Sequence, residues 1–285
     1  MIRRSLLTMV PAASVLFALR AQGKPITGPI VTSAGFILAV HAWSFRRFTL
    51  WESIEMTAAT GAGAIELFPG QTLGGPHGET KMGPGLSAAI YQSLLDHGAS
   101  HGVVPVNFGV TEIPKNKDKA RPLFEMARTL GLDGLTTESI GAIDTIEELA
   151  AEYDLRISFH NHPKPTGLWN PDTVWNVVKD RHDSIGFCAD IGHWASSGLD
   201  PVEVVRKVAP RIRSFHLKDR ESITAPSDDR PYGTGVIDLA AILDEVLKHG
   251  FTGNVSIEYE YNWETSVPEI AQCVGYLRAY SKLRA

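Results

Sequence analysis

Four short segments of this chain end alike. Ser158-Phe159-His160, Cys188-Ala189-Asp190, Ser214-Phe215-His216 and Ser256-Ile257-Glu258 each put a small residue two positions before a side chain that can bind a metal ion. An apolar residue separates the two every time. Strand side chains alternate between faces, so the small residue and the donor share one face and the apolar residue takes the other. Four such strand ends become useful together if they meet at one divalent cation. The expected ligands are therefore His160, Asp190, His216 and Glu258. This mixed nitrogen and oxygen set suits Mn²⁺, Co²⁺, Fe²⁺ or Zn²⁺ better than Mg²⁺ or Ca²⁺. Such a cation would polarise a carbonyl, hold an adjacent hydroxyl and stabilise an enediolate.

Other polar residues sit close to these in the sequence. Asp190 ends an apolar run, with Gly192 two residues on; a helix cap or a surface charge is the alternative role. Lys218 shares a face with Ser214 and His216, and polar groups ending an inward face need partners. It could be a counter-charge, an electrophile near a developing oxyanion or a salt-bridge partner. Glu258 and Glu260 share a face and repel unless a cation or protons intervene. Glu258 has the depth for the metal, and Glu260 lies further out, toward substrate or the solvated rim. His162 follows His160 by two, to bind substrate, to support the site or to share the metal. Glu66 and Glu138 end further apolar segments, as base, ligand, helix cap or rim carboxylate. His41, Trp43, Asn107 and His193 are expected to line the pocket, with Trp43 either stacking on a sugar face or simply packing. The catalytic candidates are thus Glu258, Lys218 and Glu138. The substrate-binding candidates are His41, Trp43, Glu66, Asn107, His162, His193 and Glu260. His77, His97, His101, His182 and His249 fall in loops or helices and receive no role.

The elements that must position these residues follow a strict alternation. From about residue 36 a short apolar strand, a polar loop and an amphipathic helix repeat. Strands are expected to end near Trp43, Phe68, Phe108, Glu138, His160, Asp190, Lys218 and Glu260. Helices are expected at about 50–60, 86–97, 115–130, 143–153, 171–179, 201–208 and 239–249, with a last one at 267–283. Asn170-Pro171 and Asp200-Pro201 read as helix caps followed by proline, Asp238 as a cap, and His249-Gly250 as a helix end. About eight units in about 250 residues is the size of a single (β/α)8 TIM barrel; a doubly wound open sheet is the alternative. Pro69–Gly85 and Arg220–Thr234 are long loops after strand ends, so both belong on the active face and could act as lids.

Composition narrows the function further. The chain has 285 residues, 44% of them hydrophobic, and a formal net charge of −5. Without a basic face, nucleic acid is an unsupported partner. The two cysteines form no CxxC, which argues against a disulfide scaffold or a zinc knuckle. Residues 1–27 read as a leader: Arg3-Arg4 precede an apolar run too short to span a membrane comfortably, which resembles a twin-arginine export signal. An exported or periplasmic location follows, with the cytoplasm as the alternative; residues 28–285 form the barrel. No membrane contact beyond that leader is expected, and a homo-oligomer is left open.

At these residues the chain resembles the xylose isomerase-like TIM barrel superfamily, in its sugar phosphate isomerase/epimerase branch. The resemblance runs from about Gly35 to the C-terminus. It is carried by His41-Ala42-Trp43-Ser44-Phe45-Arg46, Ile65-Glu66-Leu67, Phe159-His160-Asn161-His162, Asp190-Ile191-Gly192-His193, Phe215-His216-Leu217-Lys218-Asp219, Gly233-Thr234-Gly235-Val236-Ile237-Asp238 and Ile257-Glu258-Tyr259-Glu260. In ketose 3-epimerases of this superfamily the metal sits on a glutamate, an aspartate, a histidine and a second glutamate. The resemblance assigns the last three to Asp190, His216 and Glu258, and a substrate contact to His193. Strand five departs, offering His160 where the epimerases have glutamate. Relatives with that histidine look like lyases or hydratases acting on 3-keto-sugars or their glycosides. The expectation is a metal-dependent sugar isomerase or epimerase that abstracts a proton beside a carbonyl of a small carbohydrate. A lyase acting by β-elimination on 3-keto-sugars or 3-keto-glycosides is the alternative. An endonuclease-type phosphodiesterase lacks its basic groove here, and a non-catalytic sugar-binding protein is the remaining class.

Overall fold

A computed structural model of the chain describes residues 30–223 and 226–285. The leader expected at residues 1–27 lies outside the described residues. Eight parallel strands close into a barrel: β1 (Ile37–His41), β2 (Ala64–Leu67), β3 (Val104–Phe108), β4 (Gly134–Thr137), β5 (Arg156–His160), β6 (Ile185–Asp190), β7 (Ile212–Leu217) and β8 (Asn254–Ile257). Each neighbours the next, and β8 returns to β1. The helices are α1 (Leu50–Ala59), α2 (Ala88–Ser100), α3 (Lys117–Leu130), α4 (Ile143–Tyr153), α5 (Pro171–Val178), α6 (Ile191–Ser196), α7 (Pro201–Val208), α8 (Leu239–Lys248) and α9 (Val267–Leu283). The TIM barrel expected from the alternation is the fold found. Strands buried on both faces explain the apolar runs: outward residues such as Phe159, Phe187, Phe215 and Ile257 pack under the helices. A smaller cluster of Ile30, Ile37, Ala39, Ala64 and Val106 packs separately from that layer. Among the described residues no helix is long and apolar enough to cross a membrane.

The helix starts follow their caps. Asn170 accepts from the Asp172 amide, Asp200 from Val202 and Glu203, and Asp238 from Ala241. Thr49 and Glu52 form a reciprocal capping box at α1. Two expectations need correction. The first strand stops at His41, and Trp43 lies in a 3-10 turn, Ala42–Phe45, because the His41 ring accepts the Trp43 amide and bends the chain. The short helix α6 follows β6 at once, with Asp190 as its cap. Asp190 therefore ends a strand and caps a helix together, two roles that the sequence presents as alternatives.

The loop after β7 is tied down. A two-residue antiparallel ladder joins Asp219–Arg220 to Asp229–Arg230. Buried Asp219 accepts the amides of Arg220 (3.0 Å), Gly233 (2.9 Å), Gly235 (2.9 Å) and Ile237 (3.1 Å). Residue 235 must be glycine for this, since a Cβ would lie 2.2 Å from Asp219 Oδ1. Asp219→Ala would leave several buried amides unmet, at about 1–3 kcal/mol each. We expect urea unfolding to show a loss of about 3 kcal/mol; a loss below about 1 kcal/mol would show that Asp219 is no anchor.

Candidate functional site

Parallel register brings the expected donors to one end of the barrel. His160 pairs with Cys188, Asp190 with His216, and His216 with Ser256. Donor atoms of His160, Asp190, His216 and Glu258 all lie within 4.8 Å of one another, and all four residues are buried. Asn161 fastens two of these strand ends together. Its Nδ2 donates to the Asp190 carbonyl (2.9 Å) and its Oδ1 accepts the Asp190 amide (3.0 Å).

Each imidazole is held by a carboxylate behind it. His216 Nε2 donates to Glu66 Oε1 at 3.1 Å, and His160 Nδ1 faces Glu138 Oε1 at 3.4 Å. This orientation leaves His160 Nε2 and His216 Nδ1, both buried, without a hydrogen-bond partner. They look at the other two donors: His160 Nε2 lies 3.5 Å from Asp190 Oδ2, and His216 Nδ1 lies 3.4 Å from Glu258 Oε2. A ring lone pair facing a carboxylate oxygen is repelled unless a proton or a cation stands between them. Two donors bound tetrahedrally to one cation at about 2.0–2.1 Å sit roughly 3.3 Å apart. Histidines backed by carboxylates and open toward one point are the usual arrangement around a bound metal. The residues present fit a divalent cation.

Lys218 is the positive charge in this group. Its ammonium donates to Asp190 Oδ2 at 2.6 Å and to Glu258, and lies 3.6 Å from Glu260. Burial works against its charge, but Asp190 and Glu258 raise its pKa well above the ordinary value. Burial would raise the pKa of Glu258; Lys218, His216 and His41 hold it well below the carboxylate range. Burial lowers His41 to about 4 and His193 to about 3, so both rings are neutral at physiological pH.

The remaining expected residues divide between mouth and interior. His193 Nε2 lies 3.4 Å from Asp190 Oδ2 and its ring stacks on His162 at 5.3 Å. Half-exposed His162 donates to Glu138 Oε1 at 2.5 Å, which raises the His162 pKa. Trp43 donates to Glu260 at 3.0 Å and meets Phe68 edge to face at 5.1 Å. Glu260 thus sits partly exposed beside the cluster. Glu66 and Asn107 are both buried in the interior, so of the readings open for Glu66 the rim carboxylate is the one that fails. Glu66 accepts from Asn107 (2.7 Å), Thr136 (3.3 Å), Asn254 (3.0 Å), Ser256 and His216. It is a support beneath the cluster. Asn254 and Ser256 were readable only as small or polar members of β8's inward face; their purpose depends on what stands across the barrel.

Residues 115–280 match the sequence model of a family described as xylose isomerase-like TIM barrel. Inosose dehydratase of Clostridium botulinum is 26% identical over 162 residues, covering 50% of this chain and 52% of that protein. The chain spans about half the length of the curated relatives it matches. A solved protein of Parabacteroides distasonis is 30% identical with a TM-score of 0.70, over 86% of this chain and 99% of that one. A sugar phosphate isomerase/epimerase of the same organism has a TM-score of 0.62 over 90% and 98% of the two chains. At 17% identity it shows the shared fold.

Glu66 makes the support testable. Burial alone would raise its pKa, but His216, His41 and Ser256 bring it down to about 2. A folded pKa below the ordinary 4.5 stabilises the fold fully above that pH, and the stabilisation is lost as the pH falls toward 2. The depression corresponds to about 3 kcal/mol. In metal-free protein, unfolding free energy measured between pH 6 and pH 2.5 should fall more steeply for wild type than for Glu66→Gln. Parallel curves would show that Glu66 does not carry this charge.

Proposed function

The chain belongs to the xylose isomerase-like TIM barrel family, and within it we propose a metal-dependent lyase. It would remove the proton beside the carbonyl of a cyclic keto-sugar or keto-cyclitol and expel the oxygen substituent one carbon further on. One observation carries the reading. Strand β5 gives the cluster His160, where a two-base exchange of protons needs a second carboxylate. The name inosose dehydratase, borne by several relatives, points to the same kind of reaction.

A divalent cation held by His160, Asp190, His216 and Glu258 would supply Lewis acidity to the substrate carbonyl and its neighbouring hydroxyl. Mn²⁺, Co²⁺, Fe²⁺ and Zn²⁺ suit these donors. Glu258 is 7% exposed and the other three are 2% or less, so Glu258 is the donor that substrate can reach. It takes the C–H proton; the electron pair becomes the new C=C bond and the C–O bond breaks. His162, whose pKa Glu138 raises, returns a proton to the departing oxygen and releases water or an alcohol. Neutral His193, nearer the mouth, holds a substrate oxygen, and buried Lys218 balances the charge of Asp190 and Glu258 beneath it. The isomerase or epimerase reading shares the first step but returns the proton to carbon, and Glu138 with His162 is its candidate second carrier.

Metal-loaded protein in D₂O with 2-keto-inositol, 3-keto-glycosides and free ketoses separates the readings by NMR. An unsaturated product with loss of water or aglycone is expected. Deuterium at a retained carbon without elimination would replace the proposal with isomerisation. Saturable binding without turnover would replace it with sugar binding. Glu258→Gln should lower kcat by about 10²–10⁴-fold, with metal content measured on the same sample; unchanged kcat would remove Glu258 from the mechanism.

A further inference from the structure

A second group of donors lies outside the barrel, between α1 and α2. His97 and His101 stand four residues apart at the C-terminal end of α2, so they share a face. Glu55 of α1 faces them. One ligand atom from each of Glu55, His97 and His101 lies within 4.8 Å of the others. We propose that these three residues form a second binding site for a transition-metal cation of the Zn²⁺, Ni²⁺ or Cu²⁺ class, separate from the barrel interior.

The ring positions support this. His97 Nε2 lies 3.5 Å from Glu55 Oε1, close to the roughly 3.3 Å between two donors on one tetrahedral cation. His101 Nδ1 donates to the His97 carbonyl at 3.0 Å, which fixes the tautomer and leaves Nε2 with its lone pair. The two rings meet edge to face at 4.5 Å. His97 itself is buried and stacked on Trp51 at 3.6 Å, so its ring plane is set before a cation arrives. Its Nε2 also donates to the Trp51 carbonyl at 3.1 Å, so a cation bound there displaces that proton and brings the carbonyl oxygen into its shell or pushes it aside. Glu55 and His101 are exposed, so the site opens to solvent and completes its shell with water.

The site sits at a junction that matters for the barrel mouth. Trp51 is wedged against the loop after β2: its amide donates to Leu73, and the His77 ring of that loop lies 6.1 Å from it. His77 in turn bonds Ser93 of α2 at 2.9 Å. A bound cation would join α1 to α2 where this loop rests on both.

Zn²⁺ titration of the metal-stripped protein, read by calorimetry and by elemental analysis after desalting, tests the site. Wild type should take two equivalents and the double variant Glu55→Ala/His101→Ala one. His160→Ala should lose the inner equivalent and keep the outer one, so the two sites fail independently. Zn²⁺ should also raise the Tm of His160→Ala more than that of the triple variant Glu55→Ala/His101→Ala/His160→Ala, which lacks both sites. Equal stoichiometry in wild type and the double variant would overturn the proposal, whereas a single wild-type equivalent that the double variant loses and His160→Ala keeps would overturn the inner site alone.

Discussion

A buried carboxylate must be met by protons or cations, and Glu66, Asp190 and Glu258 are buried close together at one end of the barrel. Glu66 and Asp190 are fully buried and Glu258 nearly so. An uncompensated ion there would cost several kcal/mol, enough to consume much of a domain's stability. The compensation is distributed. Glu66 is met by donors from β3, β4, β7 and β8. Asp190 takes an amide from α6 and the Lys218 ammonium. Glu258 takes the same ammonium. The barrel ends in this shape because strands from all around it must deliver a donor at one height.

The pairing also sets what the site can do. With His160 rather than a third carboxylate on β5, the cluster carries one negative charge fewer. A cation held by two imidazoles and two carboxylates keeps more of its own charge than one held by three carboxylates, and withdraws electrons more strongly. One proton carrier is lost by the same change. Stronger withdrawal with fewer bases suits elimination, in which the proton leaves carbon and does not return. The proposed lyase reading therefore follows from one residue's charge as well as from its geometry.

The fold was legible because the strand and helix periods alternate cleanly and because proline, asparagine and aspartate mark the helix starts. The cluster was legible because four polar residues interrupt apolar strands at the same offset. Depth was not legible. Glu66 interrupts Ile65-Glu66-Leu67 just as His216 interrupts Phe215-His216-Leu217, yet Glu66 lies beneath the cluster and His216 within it. Strand stagger sets height in a closed barrel, and stagger is a property of all the strands together. The irregular register between Ile65 and Glu66 adds to the displacement. Asn161 and Asn254 were hidden for a related reason. Each is defined by its partner across a strand boundary, Asp190 for one and Glu66 for the other.

Glycine at position 192 shows how closely the sequence is fitted to that charge pattern. A Cβ there would lie 2.7 Å from Lys218 Cδ and 2.9 Å from Lys218 Cβ. Any side chain would push the lysine stem aside. The stem runs along the start of α6, and this brings the ammonium between Asp190 and Glu258. Arginine would not serve, since its planar fork is wider than the gap that one point charge fills. A methionine of similar length would leave two buried carboxylates facing each other. The Asp190-Ile191-Gly192-His193 segment thus does three things in four residues. It ends a strand with a carboxylate, opens a channel for the cation that balances it, and sets His193 against the same oxygen. The spacing between aspartate and glycine is dictated by a lysine that lies 26 residues further along the chain.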